Sequence, residues 1–319
     1  LYAAAHDGRI AAFDAVKGDR LWRQKTKLPL SAGPATNGEV LAAGSSEGDV
    51  ILLDAADGSE RWRVSVSSEV MAPPTLTRDL VLIRTVDGRL TALRVLDGSE
   101  AWFVQQAVPR LSVRGTGSAV VDGNRVVCGF DNGRLAAYDI NDGSQIWDVL
   151  LAPPSGRTEV ERLSDINATV RVVGEDDYAI SYQGSLTGLT LETGQTLWTR
   201  EISSYNGIGI DFINLYVSSQ NSELYAVARR SGREMWRVET LLNRDISGPA
   251  SMANSVVVAD FEGYVHWFDA TTGELQARVR AGSDRIGAAP LVVNEMVYVL
   301  SESGKLYAFR DETRKDDDA

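Results

Sequence analysis

Apolar positions along the chain come in short runs of four to six residues, often β-branched, and each run is broken by a turn of one or two polar residues or glycine. No stretch repeats its apolar residues at the spacing of a helix face, so short strands joined by tight turns are predicted throughout. Two kinds of segment alternate. In the first, such as Pro34-Ala-Thr-Asn-Gly38-Glu-Val-Leu-Ala-Ala, two apolar runs flank a two-residue polar turn, the signature of a hairpin. In the second, such as Gly133-Arg-Leu-Ala-Ala-Tyr-Asp139 followed by Gly143 and Trp147, a tight turn leads into one strand, a glycine-bearing turn and an outer strand that carries tryptophan.

The second segment recurs along the chain. Asp7-Gly8 with Asp14, Gly18 and Trp22 returns as Glu47-Gly48 with Asp54, Gly58 and Trp62, and as Asp87-Gly88 with Gly98 and Trp102. It continues through Asn132-Gly133, Gln183-Gly184, Ser222, Glu262-Gly263 and Ser303-Gly304, at spacings of 40, 40, 45, 51, 38, 41 and 41 residues. Ser222 replaces the first glycine of the sixth copy, and Ala277 stands where the seventh would carry tryptophan. Eight copies of four strands each cannot cover their own faces, so they stack on one another. The predicted fold is all-β, an eight-bladed β-propeller of four-stranded antiparallel blades. Residues 1–310 form a single domain in this reading, and the mostly acidic run 311–319 is a disordered tail. The first copy begins at its second strand and the eighth lacks its fourth, and residues upstream of Leu1 are expected to supply the missing strands. Trp22, Trp62, Trp102, Trp147, Trp198 and Trp236 share one repeat position, where the ring is expected to wedge between blades and its N–H to find a carbonyl.

Charge and composition narrow the function. A net charge of −12 removes the attraction to phosphate on which nucleic-acid binding relies, so no nucleic-acid partner is expected. No apolar run reaches the roughly 18 to 20 residues that span a bilayer, and the chain opens without a basic or long apolar leader. Cys128 is the one cysteine and lies in an apolar strand-like run, which reads as a packed core thiol. With His6 and His266 the only histidines, neither a metal site nor a catalytic triad is assembled, and the glycines sit singly at turns rather than in a phosphate loop. Asp14, Asp54, Asp139 and Asp269 share one repeat position and read as turn-formers whose carboxylates accept backbone N–H bonds. No catalytic, metal or cofactor-binding residues are therefore expected, and the protein is not read as an enzyme.

Two connections are longer than the rest. From Trp22 to Gly38 is 16 residues, whereas Trp102 to Gly123 is 21 and Trp147 to Gly174 is 27. Both excesses fall between the outer strand of one blade and the first strand of the next, so the loops 106–117 and 152–167 are expected side by side on one face, as one raised surface. Leu111 and Val113, between Arg110 and Arg114, offer apolar side chains on an otherwise polar segment.

The motif Ala-x-Asp-x-x-x-Gly-x-x-x-Trp resembles the tryptophan-docking repeat of pyrroloquinoline-quinone-type propellers, a class that holds dehydrogenases and non-enzymes alike. A quinoprotein-like oxidoreductase or small-ligand-binding propeller is thus the alternative reading. In those enzymes a disulfide of neighbouring cysteines lies above the cofactor, and Cys128 alone cannot form it. More specific are the runs Leu111-Ser-Val-Arg-Gly115, Thr158-Glu-Val-Glu-Arg-Leu-Ser-Asp-Ile-Asn167 and Glu262-Gly-Tyr-Val-His-Trp267. With these, residues 1–310 resemble the BamB family, lipoprotein subunits of the outer-membrane β-barrel assembly machinery. The resemblance implies a non-enzymatic scaffold that binds a periplasmic POTRA domain of BamA and assists assembly of outer-membrane proteins, with unfolded clients as further partners. It also implies a location at the periplasmic face of the bacterial outer membrane, held by a lipid anchor upstream of Leu1. By motif position the partner-binding residues are Leu111, Val113 and Arg114 in the first loop and Asp165 and Asn167 in the second. The chain departs from the family pattern at Val113, where leucine is usual, and at Asn167, where aspartate is usual, the second change removing a charge.

Overall fold

A computed structural model describes residues 1–109, 111, 117–153, 166, 169–181 and 184–310. The described residues form thirty strands and no α-helix, arranged as eight successive antiparallel sheets. Among the described residues six sheets have four strands, and the first and last have three. The tail 311–319 lies outside the described residues.

The fourth sheet shows why these residues make strands. Val120–Asp122 and Arg125–Gly129 form the hairpin predicted from the polar turn, with Gly123 at the positive φ the turn requires. The middle strands Arg125–Gly129 and Arg134–Asp139 bury nearly every side chain because each of their faces meets a neighbouring sheet, which is why their apolar runs are continuous rather than alternating. The outer strand Gln145–Leu150 buries Trp147 and leaves Ile146 and Leu150 exposed. Opposite the tryptophan the register slips by one residue, between Ala137 and Tyr138, and the same bulge recurs at Ala12/Phe13, Leu52/Leu53, Ala92/Leu93 and Ala226/Val227. The core accordingly lies between successive sheets, as where Leu82, Leu90 and Trp102 of the third meet Val126, Cys128 and Tyr138 of the fourth.

Each tryptophan at the repeat position donates its indole N–H to a carbonyl of the following repeat: Trp22 to Ala55, Trp62 to Val95, Trp102 to Ile140, Trp147 to Leu191, Trp198 to Arg229 and Trp236 to Ala270, at 2.8 to 3.0 Å. The ring lies on the glycine of the same turn. A Cβ on Gly194 would stand 2.7 Å from the Trp147 ring, and φ there is +68°, so the repeat needs glycine for both conformation and contact. The shared aspartates make the turn bonds expected of them; Asp14 Oδ1, for example, accepts from the amides of Val16 and Lys17. Trp267, off the repeat position, packs edge-on to Phe309.

The chain divides into two compact units, Leu1–Tyr182 with Leu191–Gln195 and Gln183–Thr190 with Thr196–Ala319. The first holds both long connections. In the second, the sixth sheet departs from the polar-turn rule: its hairpin tip is Phe212-Ile213, with Phe212 93% exposed. Asp211 Oδ1 accepts from the amides of Ile213 and Asn214, which holds the tip in a tight turn.

Candidate functional site

Of the residues expected to bind a partner, Leu111 is 43% exposed, while Val113, Arg114, Asp165 and Asn167 lie outside the described residues. The stems of the two loops are described, and they meet on a common floor, the turn Phe130–Gly133 of the fourth sheet. The first loop enters through Gln106, whose amide donates to Gly88 O and whose Nε2 donates to the Tyr138 hydroxyl at 3.1 Å. Asn132 Nδ2 donates in turn to Gln106 Oε1 at 3.4 Å. The loop leaves through Gly117, whose carbonyl accepts from Arg84 Nη1, and Ser118, whose hydroxyl donates to Pro73 O.

The second loop starts from the same turn. The amides of Leu151 and Ala152 both donate to Gly133 O, at 2.9 and 3.2 Å. It is fastened again at Ile166, fully buried, whose amide donates to Phe130 O and whose side chain fills the space over Gly129; a Cβ on Gly129 would lie 2.4 Å from Ile166 Cγ2. The regular second sheet has the same arrangement, with Val70 seated over Gly44 and its amide donating to Ser45 O. Ile166 is thus the ordinary anchor of a connection, and Asp165 and Asn167 flank it in sequence. Finally, the amide of Ser118 donates to Thr169 Oγ1 at 3.2 Å, which joins the exits of the two loops.

The floor's charges are compensated internally. Arg84 pairs with Asp131, both 3% exposed, and Arg134 Nε donates to Asp148 Oδ1 at 2.6 Å. Burial pushes the Tyr138 phenol up to about 12, so it stays neutral beside Gln106. What the floor can do is fasten the stems of the two loops to one turn.

Elsewhere the candidate chemistry is structural. Burial raises the Cys128 thiol to about 11, which leaves it without thiolate character. His266 Nε2 bonds the fully buried Asp260, which also accepts from Arg244 Nε and from the amides of Glu262 and Tyr264. Burial raises the Asp260 carboxyl, but the bonds from His266, Arg244 and Tyr264 outweigh it and bring the group down to about 2. Among the described residues no group of three or more His, Cys, Asp or Glu side chains could hold a metal ion. A cavity of about 260 Å³ opens beside Val64, Ser67, Arg89 and Thr91, with Arg89 already paired to Glu100 and stacked on Phe103.

Reading the repeat could locate the two loops but not their floor, because Phe130–Gly133 is an ordinary turn of its own copy. The available signal was Gly129, a glycine inside a strand where a neighbouring side chain approaches.

The family model described as outer membrane protein assembly factor BamB matches residues 6–238 and 221–316. The outer membrane protein assembly factor BamB of Pseudomonas aeruginosa is 45% identical over 97% of this chain and 81% of its own length. The crystal structure of BamB from Moraxella catarrhalis superposes with a TM-score of 0.91 at 27% identity, covering 97% of this chain and 93% of that one. A quinohemoprotein alcohol dehydrogenase from Comamonas testosteroni, at 15% identity and a TM-score of 0.74 over 93% of this chain and 68% of its own, shares the fold alone. The fold is that of an eight-bladed β-propeller, and the named relatives over nearly the whole chain are assembly factors rather than enzymes. By its repeat, its sheets and its match along almost its entire length, the chain belongs to the outer membrane protein assembly factor BamB family.

Proposed function

We propose that the protein is a non-enzymatic docking subunit of the outer-membrane β-barrel assembly machinery. It holds BamA, through a periplasmic POTRA domain, by the loops 106–117 and 152–167. The observation that carries this reading is the common floor: two consecutive long connections are fastened to one turn and to each other, and apolar Leu111 of the first is exposed to solvent. Leu111 and Val113 act as the apolar anchor. Arg114 makes a forked, charge-assisted bond to a partner carboxylate or carbonyl, and Asp165 and Asn167 supply acceptors from the second loop. The protein works at the periplasmic face of the outer membrane on a lipid anchor and assists the assembly of outer-membrane proteins, whose unfolded chains are its further partners. Family membership supports the machine and the membrane; the motif positions support the residues.

Titration of a purified POTRA fragment of BamA tests the reading. Leu111→Asp and Arg114→Glu are each expected to weaken binding by roughly 1 to 4 kcal/mol, the range of interface hot spots. Thermal stability should hardly change, because loop tips contribute few buried contacts. Glu39→Lys, in a hairpin turn at the opposite end of its strands, is the control and should bind normally. Full affinity in both loop variants would remove this surface from the account. A bound chromophore and alcohol oxidation after soaking with pyrroloquinoline quinone and calcium would favour the oxidoreductase reading instead.

A further inference from the structure

Arg84 is out of place in its repeat. It ends the second strand of the third sheet, and the residues at the same repeat position are Ala4, Gly44, Gly129, Ile180, Ser218, Ala259 and Leu300, none of them charged. In the second and fourth sheets the glycine there makes room for the apolar anchor of the following connection, Val70 or Ile166. In the third sheet an arginine stands at that position. Its guanidinium reaches the end of the first loop and the turn below it. Its Nη2 pairs with Asp131, its Nη1 donates to Gly117 O at the end of the first loop, and its carbon lies 5.8 Å from the centre of the Phe130 ring. The carbonyl of that same Phe130 holds Ile166 of the second loop.

Both partners are 97% shielded from water, and an ion pair so deep is a poor stabiliser, since well-packed apolar residues of similar size would serve the fold as well or better. What apolar residues could not do is bind a carbonyl of one loop and fix the turn that carries the other. We propose that Arg84 and Asp131 are positioning residues of the docking surface. They set the two loops in one fixed relation before the partner arrives, so that little order remains to be imposed on binding. The inference rests on the docking reading above and adds to it the residues that shape the surface without touching the partner.

The test replaces the pair by apolar residues, Arg84→Met with Asp131→Leu, and reads three quantities against the wild type: denaturation midpoint, affinity for the BamA POTRA fragment, and hydrogen exchange at the amides of Ile166 and Ser118. The expected result is an unchanged midpoint and faster exchange at both amides. Affinity should fall about tenfold, the equivalent of ordering one residue of loop on binding. If the pair did not fold, Asp131→Asn carries the same test, because the amide keeps the shape and one acceptor but loses the charge. Wild-type affinity and wild-type exchange in a folded variant would overturn the proposal. Leu111→Asp, measured alongside, separates the two readings. Loss of binding there with none in the apolar pair refutes the positioning role alone, whereas normal binding in Leu111→Asp refutes the docking surface and the positioning role with it.

Discussion

Asp177 is the residue whose replacement tests the packing most sharply. It is the second residue of the strand Asp176–Ile180, and its equivalents in the second to fourth and sixth to eighth sheets are Leu41, Val81, Val126, Leu215, Val256 and Val297, all buried and apolar. Asp177 is 0% exposed, and among the described residues neither carboxylate oxygen has a hydrogen-bond partner. Burial, with smaller contributions from Asp122 and Asp176 and a partial offset from Arg125, pushes its carboxyl up to about 7. The fold therefore holds the proton more tightly than the unfolded chain. The stability this group allows is fully present below about pH 4, falls as pH rises towards 7 and is constant above. With about 1.4 kcal/mol per pH unit, wild type loses about 2 to 3 kcal/mol from this group between pH 5 and pH 8. Asp177→Val restores the residue type of the other sheets and removes the titration. Urea unfolding of wild type and variant, followed by tryptophan fluorescence at both pH values, should show a variant that is more stable at pH 5 and more so by that amount at pH 8. An advantage independent of pH, or no advantage, would show that the carboxyl is hydrated or paired and that the strand is not packed as described.

Three other perturbations follow from the packing. Trp147→Ala removes a ring seated on Gly194 and an N–H bond to Leu191, and should cost about 3 to 5 kcal/mol in the unfolding midpoint; no shift would mean an exposed ring. Gly129→Ala forces a methyl against Ile166 and should cost about 1 to 3 kcal/mol, with exchange at the Ile166 amide rising ahead of the rest of the sheet. Cys128, buried and with its thiol at about 11, should resist a thiol reagent in the native protein and react at once in urea; fast native labelling would contradict its burial.

The repeat was legible because its residues are fixed by a local turn, by the neighbouring copy or by both: Gly194 must be glycine for its φ and for Trp147, and Asp14 must accept from its own turn. The loops were legible as excess length. The rest lay in departures from the repeat whose meaning depends on distant partners. Arg84 meets Asp131 47 positions on, and nothing near either residue signals the other. Asp177 follows the polar run Gly174-Glu175-Asp176, and Phe212-Ile213 is an apolar pair that the chain places at a solvent-facing tip. Each of the three breaks the pattern of its repeat position.

The central claim is that the face bearing the two loops holds BamA, and a photo-reactive amino acid at position 111 tests it most directly. Illumination of cells carrying the full-length protein should yield a cross-link to BamA from position 111 and none from position 39. No BamA adduct from position 111, or equal adducts from both positions, would contradict the account.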